Sequence, residues 1–325
     1  MRTKSRLLPC ALTTWALLTL MPACAKSTGE PNAAASARAP APNHSPVLAA
    51  PLELVLERAL PIEIKDDFEP SGLLLWDGRL LTVSDKHDDA VFELILGAET
   101  AAVRPFMRFE PPAAEPRPFD FEGLSVTSDG ALLLVSEARY RVLQVTRQGN
   151  AAWITPSLQA LGLEVGLFRK RNAALEGITR LGDGRTLLAA EREPRGLLEL
   201  PKGHGTRDAL AWALPDSIYS AADGRSPDFA DLTTFAGNVY ALERNSHLIV
   251  RLERTADQWL EREAWSYAQT ENAPRFSYEN RTFGLAEGVA LDDAHVFLVF
   301  DNNRDRRTTN PNDRRPQLFV FKRPS

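Results

Sequence analysis

Acidic residues recur in this chain at a spacing that suits metal or phosphate chemistry. Glu122 pairs with Glu137, Glu176 with Glu191, and Glu287 with Asp301, each pair 14 or 15 residues apart. Ser71 and Asp85 share that spacing, with Glu69 just upstream, and Asp231 pairs with Glu243. Carboxylates gathered in one place raise one another's pKa unless a cation binds. Oxygen ligands without His or Cys suit Ca²⁺, with Mg²⁺ as the alternative, over zinc. The candidate metal ligands are therefore Glu122, Glu137, Glu176, Glu191, Glu243, Glu287 and Asp301. An ion held there would polarise a phosphate or ester oxygen and orient water. Asp85 is placed to act as base, and Arg192 or Arg244 to steady developing negative charge. Lys86, His87, Arg139 and Arg304 lie in the same loops and could instead satisfy the acids internally or bind an anionic substrate. A second reading stays open for the Glu-Gly acids. A Glu at a strand start can bond neighbouring backbone N–H groups and lock one sheet to the next.

Other motifs add little. Asp301-Asn302-Asn303-Arg304-Asp305 has the D-x-N-x-D spacing of a calcium loop but lacks the following Gly and the distal Glu, and reads as a polar loop. His204, His247 and His295 show no metal spacing. No nucleophile elbow, zinc-protease motif, P-loop or dinucleotide fingerprint is present.

The acids must be positioned by a repeated element. Phe121–Val145 reads as three short strands: Gly123–Thr127, an Asp129-Gly130 turn, a run to Val135, and Tyr140–Val145. The same pattern recurs around Gly72, Gly177, Asp231 and Gly288, in steps of about 51, 54, 54 and 57 residues. A fixed period with several strands per unit marks an all-β propeller. Five repeats predict five blades, with six as the alternative. Residues 52–58 alternate and have no repeat of their own, while the last repeat stops three strands in, at Phe321. The N-terminal strand is therefore expected to complete the last blade and close the ring, which removes open sheet edges. Fourth strands are expected around Ala102–Arg108, Ala151–Thr155, Ala209–Leu214 and Trp259–Trp265. In a propeller the first strand of each blade lines the axis and the second returns to the same face, so the paired acids converge there. The glycines at the aligned positions are explained by close backbone approach near the axis.

The 325 residues carry a net charge of −5. Arg2, Lys4 and Arg6 precede an apolar run, Leu7–Leu20, of about 14 residues, too short for a comfortable membrane span and typical of a signal peptide. Met21-Pro22-Ala23-Cys24 resembles a bacterial lipobox, which makes Cys24 the expected lipidation site. Cleavage after Ala25, releasing a soluble periplasmic or secreted protein, is the alternative. The expected layout is signal peptide 1–23, an Ala/Pro/Ser tether 24–50 and a propeller 51–325. Ala25 after the cysteine implies an outer-membrane lipoprotein facing the periplasm, by resemblance to bacterial lipoproteins. Only Cys10 and Cys24 exist, so the folded part has neither disulfide nor thiol nucleophile. The acidic balance gives no sign of a nucleic-acid partner, and none is expected. A monomer is expected, with contact to the membrane only through the lipid.

Phe121-Glu122-Gly123-Leu124 with Leu134-Val135-Ser136-Glu137, Asn172–Gly177 with Ala190-Glu191-Arg192, and Ala286-Glu287-Gly288-Val289 with Asp301-Asn302-Asn303 carry a family likeness. They resemble the bacterial propellers called "esterase-like activity of phytase" and the related SdiA-regulated propellers, over about residues 68–321. The resemblance implies an envelope or secreted propeller that binds calcium, and more loosely phosphoester or ester hydrolysis of the phytase-like kind. Ser71 and Ala230-Asp231 depart from the Glu-Gly pattern, and a ligand site beside them is expected. The readings carried forward are a metal-dependent hydrolase acting on a small anionic substrate, a lactonase-type hydrolase, and a non-catalytic propeller that binds an envelope component.

Overall fold

The computed structural model describes residues 50–64, 67–112, 116–214, 216–219, 224–280 and 282–324. The expected signal peptide, the expected lipidation site Cys24 and nearly all of the expected tether lie outside these residues. Among those described, no helix is long and apolar enough to cross a membrane.

The chain enters with β1 (Leu52–Glu53) and β2 (Val55–Glu63). It then lays down β3 (Pro70–Trp76), β4 (Arg79–Ser84), β5 (Ala90–Leu96) and β6 (Ala101–Arg108) as an antiparallel meander. A second meander follows in β7 (Phe121–Val126), β8 (Leu132–Ser136), β9 (Arg141–Val145) and β10 (Ala151–Trp153). A third comprises β11 (Leu175–Arg180), β12 (Thr186–Ala190), β13 (Gly196–Leu200) and β14 (Leu210–Ala213). A fourth comprises β15 (Asp231–Phe235), β16 (Asn238–Glu243), β17 (Leu248–Arg254) and β18 (Trp259–Ser266). The chain ends on β19 (Ala286–Leu291), β20 (His295–Phe300) and β21 (Gln317–Lys322). The expected outer strands are thus found within a residue or two of their sequence positions. The hairpins follow from turn chemistry. Asp77 and Gly78 both take positive φ, 51° and 72°, the pairing that a two-residue turn between twisted strands demands.

The N-terminal segment does more than the sequence pattern suggested. β2 pairs antiparallel with β21, Leu56 against Phe321 and Leu60 against Leu318. It runs to Glu63 rather than ending at residue 58, and its last residues pair parallel with β6, Ile62 against Ala101. β1 adds in parallel to β18, Leu52 against Trp265. One short stretch of chain therefore joins the outer edges of the fourth, last and first sheets.

The first strands of the meanders are neighbours in order. β3 lies against β7, β7 against β11, β11 against β15, β15 against β19, and β19 returns to β3. The backbones are close there. A Cβ on Gly123 would sit 2.4 Å from the Glu176 carbonyl oxygen, and one on Gly288 would sit 2.4 Å from the Gly72 carbonyl carbon. The expectation of close backbone approach at these glycines holds. Between sheets the core is apolar and aromatic. Phe300 and Phe319 meet edge to face at 4.8 Å, inside a cluster that spans the fourth and last sheets.

Candidate metal and anion site

Four of the five innermost strands carry a β-bulge. Pairing slips between Phe121 and Gly123, between Leu175 and Ile178, between Ala286 and Gly288, and between Ser71 and Leu74. A bulge places two residues opposite one and re-aims a side chain. The extra positions hold Glu122, Glu176 and Glu287, and all three line one cavity of about 230 Å³. The partner residues Asp85, Glu137, Glu191 and Asp301, at or just past the ends of the second strands, line it too, as do Ser71, Arg192 and Arg244. In three of the meanders the residue after the second strand bonds back to the chain just before the first: Glu137 N–H donates to Asp120 O and Asp301 N–H to Leu285 O, each at 2.9 Å, and Glu191 N–H to Ala174 O at 2.8 Å.

β15 is the exception. It pairs with β16 in regular register, Asp231 against Leu242, without a bulge. Asp231 is fully buried and lies away from the cavity lining. Its Oδ2 accepts the Leu73 and Val289 N–H groups at 3.0 and 2.9 Å, and its Oδ1 accepts the Leu232 N–H at 2.8 Å. The residue is thus a fastener between β3, β15 and β19, not a ligand position. Glu243, expected among the metal ligands, is also absent from the lining. It is fully buried and ion-paired with Arg195, which holds Glu261 as well. The β13 end of the third sheet supplies that arginine, a partner that sequence spacing does not reveal. Burial pushes the Glu243 carboxyl up to about 8 against the pull of Arg195.

The remaining acids divide by their counter-charges. On the first-sheet side Lys86 holds Glu69 at 2.5 Å and also pairs with Asp85. On the last-sheet side Arg244 donates to Asp228 at 2.8 Å, to Glu287 at 2.5 Å and to Glu191. With every arm of its guanidinium engaged, Arg244 sets the acids in place and has little left for a substrate anion. Between these two poles lie Asp120, Glu122, Glu137 and Glu176, and Glu191 joins them from the Arg244 side. One carboxylate oxygen from each of Glu137, Glu176 and Glu191 lies within 4.8 Å of the others, and Asp120, Glu122 and Glu137 form a second such group. Glu137 accepts the Ala174 N–H at 2.9 Å. Glu191 turns Oε1 to Arg192 and Arg244, while its buried Oε2 has no hydrogen-bond partner. The Oδ1 of Asp85 is in the same state.

The electrostatics follow from this arrangement. Burial pushes Glu137 up to about 7, with the Ala174 N–H opposing and Asp120 adding to the rise. Burial likewise takes Glu287 to about 7 against Arg244, and Asp85 to about 6 against Lys86. Glu122 and Glu176 lie well above the usual carboxylate range, through burial and then through the charges of Asp120 and Glu122 respectively. Burial and then Glu287 raise Asp301 as well. Crowded acids that hold protons near neutral pH, together with a buried oxygen that lacks a donor, form a site that a cation would satisfy. The donors are all carboxylate oxygens, and the residues present fit Ca²⁺.

Three other sequence candidates sit elsewhere. His87 is not in the lining; its Nε2 meets Asp67 O at 2.9 Å. Arg139 bonds Pro116 O, and Arg304 pairs with Asp67 at the surface. Sequence reading missed Asp120, Asp228 and Phe283. A signal existed for the first two, since each stands three places before an aligned repeat position, Gly123 or Asp231.

Sheets arranged around a ring of innermost strands, with an acid-lined cavity built from bulges in those strands, define an all-β propeller whose clustered carboxylates could hold a metal ion. The chain belongs to the phytase-like family described as "esterase-like activity of phytase", whose model matches residues 69–314. No curated protein matches the sequence. Solved propeller-type structures resemble the fold. Glutaminyl cyclase of Myxococcus xanthus does so at 12% identity and a TM-score of 0.51, over 85% of this chain and 100% of that one. A PQQ-bound aldose sugar dehydrogenase of Streptomyces coelicolor does so at 12% and 0.45, over 84% and 100%. A catalytically inactive virginiamycin B lyase of Staphylococcus aureus does so at 10% and 0.43, over 78% of this chain and 66% of that one. At these identities the likeness concerns the fold alone.

Proposed function

We propose that the protein is a five-bladed propeller that hydrolyses phosphate or carboxylic esters at the acid-lined cavity with the help of Ca²⁺. The observation that carries this reading is the Glu137, Glu176 and Glu191 cluster, where a buried, unpartnered oxygen meets a cavity that Arg192 also lines. Five blades are supported by the neighbour order of β3, β7, β11, β15 and β19 and by the pairing of β2 with β21.

Glu137, Glu176 and Glu191 would hold the ion, with Asp120 and Glu122 beside them. When bound, Ca²⁺ supplies polarisation of a substrate oxygen and acidification of water. Arg192 faces the cavity and orients the substrate anion. Asp85, with a free oxygen and a pKa of about 6, accepts the proton of the attacking water. Arg244 fixes Glu191 and Glu287. Purified protein should cleave aryl phosphates or aryl esters only with Ca²⁺. Glu191→Gln should lower kcat/KM by about 100-fold, the scale of removing one preorganised electrostatic group. Equal rates for the wild type and Glu191→Gln, with and without Ca²⁺, would exclude hydrolysis at this site and leave a binding propeller.

We further infer that the domain is a monomer tethered to the bacterial envelope through Cys24, a reading that rests on the N-terminal sequence. Incorporation of labelled palmitate should disappear in Cys24→Ser. Labelling of that variant to the same level would remove the anchor.

A further inference from the structure

The acid-lined cavity has one apolar feature that its metal chemistry does not use. Of the exposed large apolar side chains among the described residues, Phe283 alone is aromatic, and it alone lines the cavity. It is 48% exposed. A single exposed apolar residue needs no explanation by itself. The way this one is held does. Before it, the Asn280 N–H donates to Asp305 Oδ2 and the Thr282 N–H to Asn280 Oδ1, both at 3.1 Å. After it, the Gly284 N–H donates to Asn245 Oδ1 and the Leu285 N–H to Glu271 Oε1, both at 3.2 Å. Gly284 is pressed so close to the fourth sheet that a Cβ would stand 2.1 Å from the Arg244 carbonyl oxygen. The segment is therefore pinned on both sides of a ring that is not packed into the core. The ring is also placed chemically. The Arg192 guanidinium lies 5.2 Å from its centroid, within cation–π range. Arg192 is the same side chain that reaches Glu191.

We propose that Phe283 is a specificity-determining platform, and that the substrates of this cavity are anionic esters of flat aromatic alcohols. The anionic head lies toward Arg192 and the acid cluster, and the aromatic ring stacks on Phe283. A ring fixed before the ligand arrives loses little conformational freedom on binding. Offset or edge contacts between aromatic rings add to the area they bury. This assignment rests on the anion-binding reading of the cavity given above.

The test compares two monoesters of equal charge and similar size, phenyl phosphate and cyclohexyl phosphate, by titration calorimetry in Ca²⁺ buffer. The wild type should favour phenyl phosphate by roughly three- to tenfold, the range of an aromatic pair. The ratio should fall to about one in Phe283→Ala and in Phe283→Leu, which keeps apolar bulk without a flat face, and should persist in Phe283→Trp. An equal affinity of the wild type for both esters, or a preference that survives in Phe283→Ala and Phe283→Leu, overturns the assignment. Preferential binding of phenyl phosphate without cleavage of it, or of phenyl acetate run beside it, rejects the hydrolase reading and leaves the Phe283 assignment standing. Binding of neither ester rejects both.

Discussion

Asp231→Ala should cost the protein at least about 3 kcal/mol, enough to deplete the folded material, since each of three buried N–H groups left without an acceptor costs about 1–3 kcal/mol and whole domains hold only about 5–15 kcal/mol. The argument rests on where the three donors come from. Leu73 belongs to β3, Leu232 to β15 and Val289 to β19, so a single carboxylate joins three innermost strands. Bulges in β3 and β19 displace those strands from regular pairing next to Leu73 and Val289. Asp231 supplies the acceptor those donors need inside a fully buried space. Water cannot replace it cheaply at such a depth. Asp231→Asn keeps one acceptor oxygen but sets an NH₂ against backbone donors, so its loss should be smaller than that of Asp231→Ala yet well above 1 kcal/mol. Urea unfolding followed by tryptophan fluorescence measures both. A loss below about 1 kcal/mol for Asp231→Ala would show that the ring closes without this fastener.

The same residue shows how far the sequence could be read. The repeat was visible because Asp-Gly turns and alternating runs are local signals, and Glu122 with Glu137 or Glu176 with Glu191 follow from one hairpin each. Asp231 occupies the aligned position of a repeat and looks like a weakened ligand site. What separates it from Glu122 is the bulge, and a bulge is a relation between two strands that no single position displays. Glu243 fails for a similar reason. Its partner Arg195 arrives from a neighbouring sheet, 48 residues earlier in the chain. Phe283 lies in a long connection without a periodic pattern, where its place is set by tertiary hydrogen bonds of the flanking backbone and by Arg192. The departures at Ser71 and Asp231 do break the symmetry, but not by making a ligand site at Asp231. They accompany a distribution of charge in which Lys86 neutralises the first-sheet acids and Arg244 the last-sheet acids. The acids with least compensation are left between those poles, on the second and third sheets.

That distribution fixes an unusual dependence of stability on pH. A salt-bridged carboxylate usually has a lowered pKa, and its stabilising effect fades as pH falls. Here the shift is opposite. Glu137 and Glu287 titrate at about 7 and Asp85 at about 6 in the folded protein, against roughly 4 for the same groups in an unfolded chain. Between about pH 4.5 and 7 the native state therefore keeps protons that the unfolded state has released, and stability must fall as pH rises. For Glu137 alone the shift amounts to about 3 kcal/mol, at 1.36 kcal/mol per pKa unit. Without divalent cations the melting temperature should thus decline from pH 5 to pH 8. Calcium requires the ionised carboxylates, so it should do nothing at pH 5 and restore stability at pH 8. The gain is about 2.7 kcal/mol when the free ion exceeds its dissociation constant by 100-fold. The buried Glu243, with a pKa of about 8 beside Arg195, adds to the decline but lies outside the cavity, so calcium should not recover its share. Glu191→Gln separates the two contributions. It should keep most of the pH-dependent decline and lose the calcium rescue, because the oxygen without a donor is the one an ion would use. Thermal melts at pH 5 and 8, in EDTA and in Ca²⁺, with NaCl matched for ionic strength, give the four numbers required. A melting temperature at pH 8 that calcium does not raise above the NaCl control would remove the metal from this site, whatever the acids do.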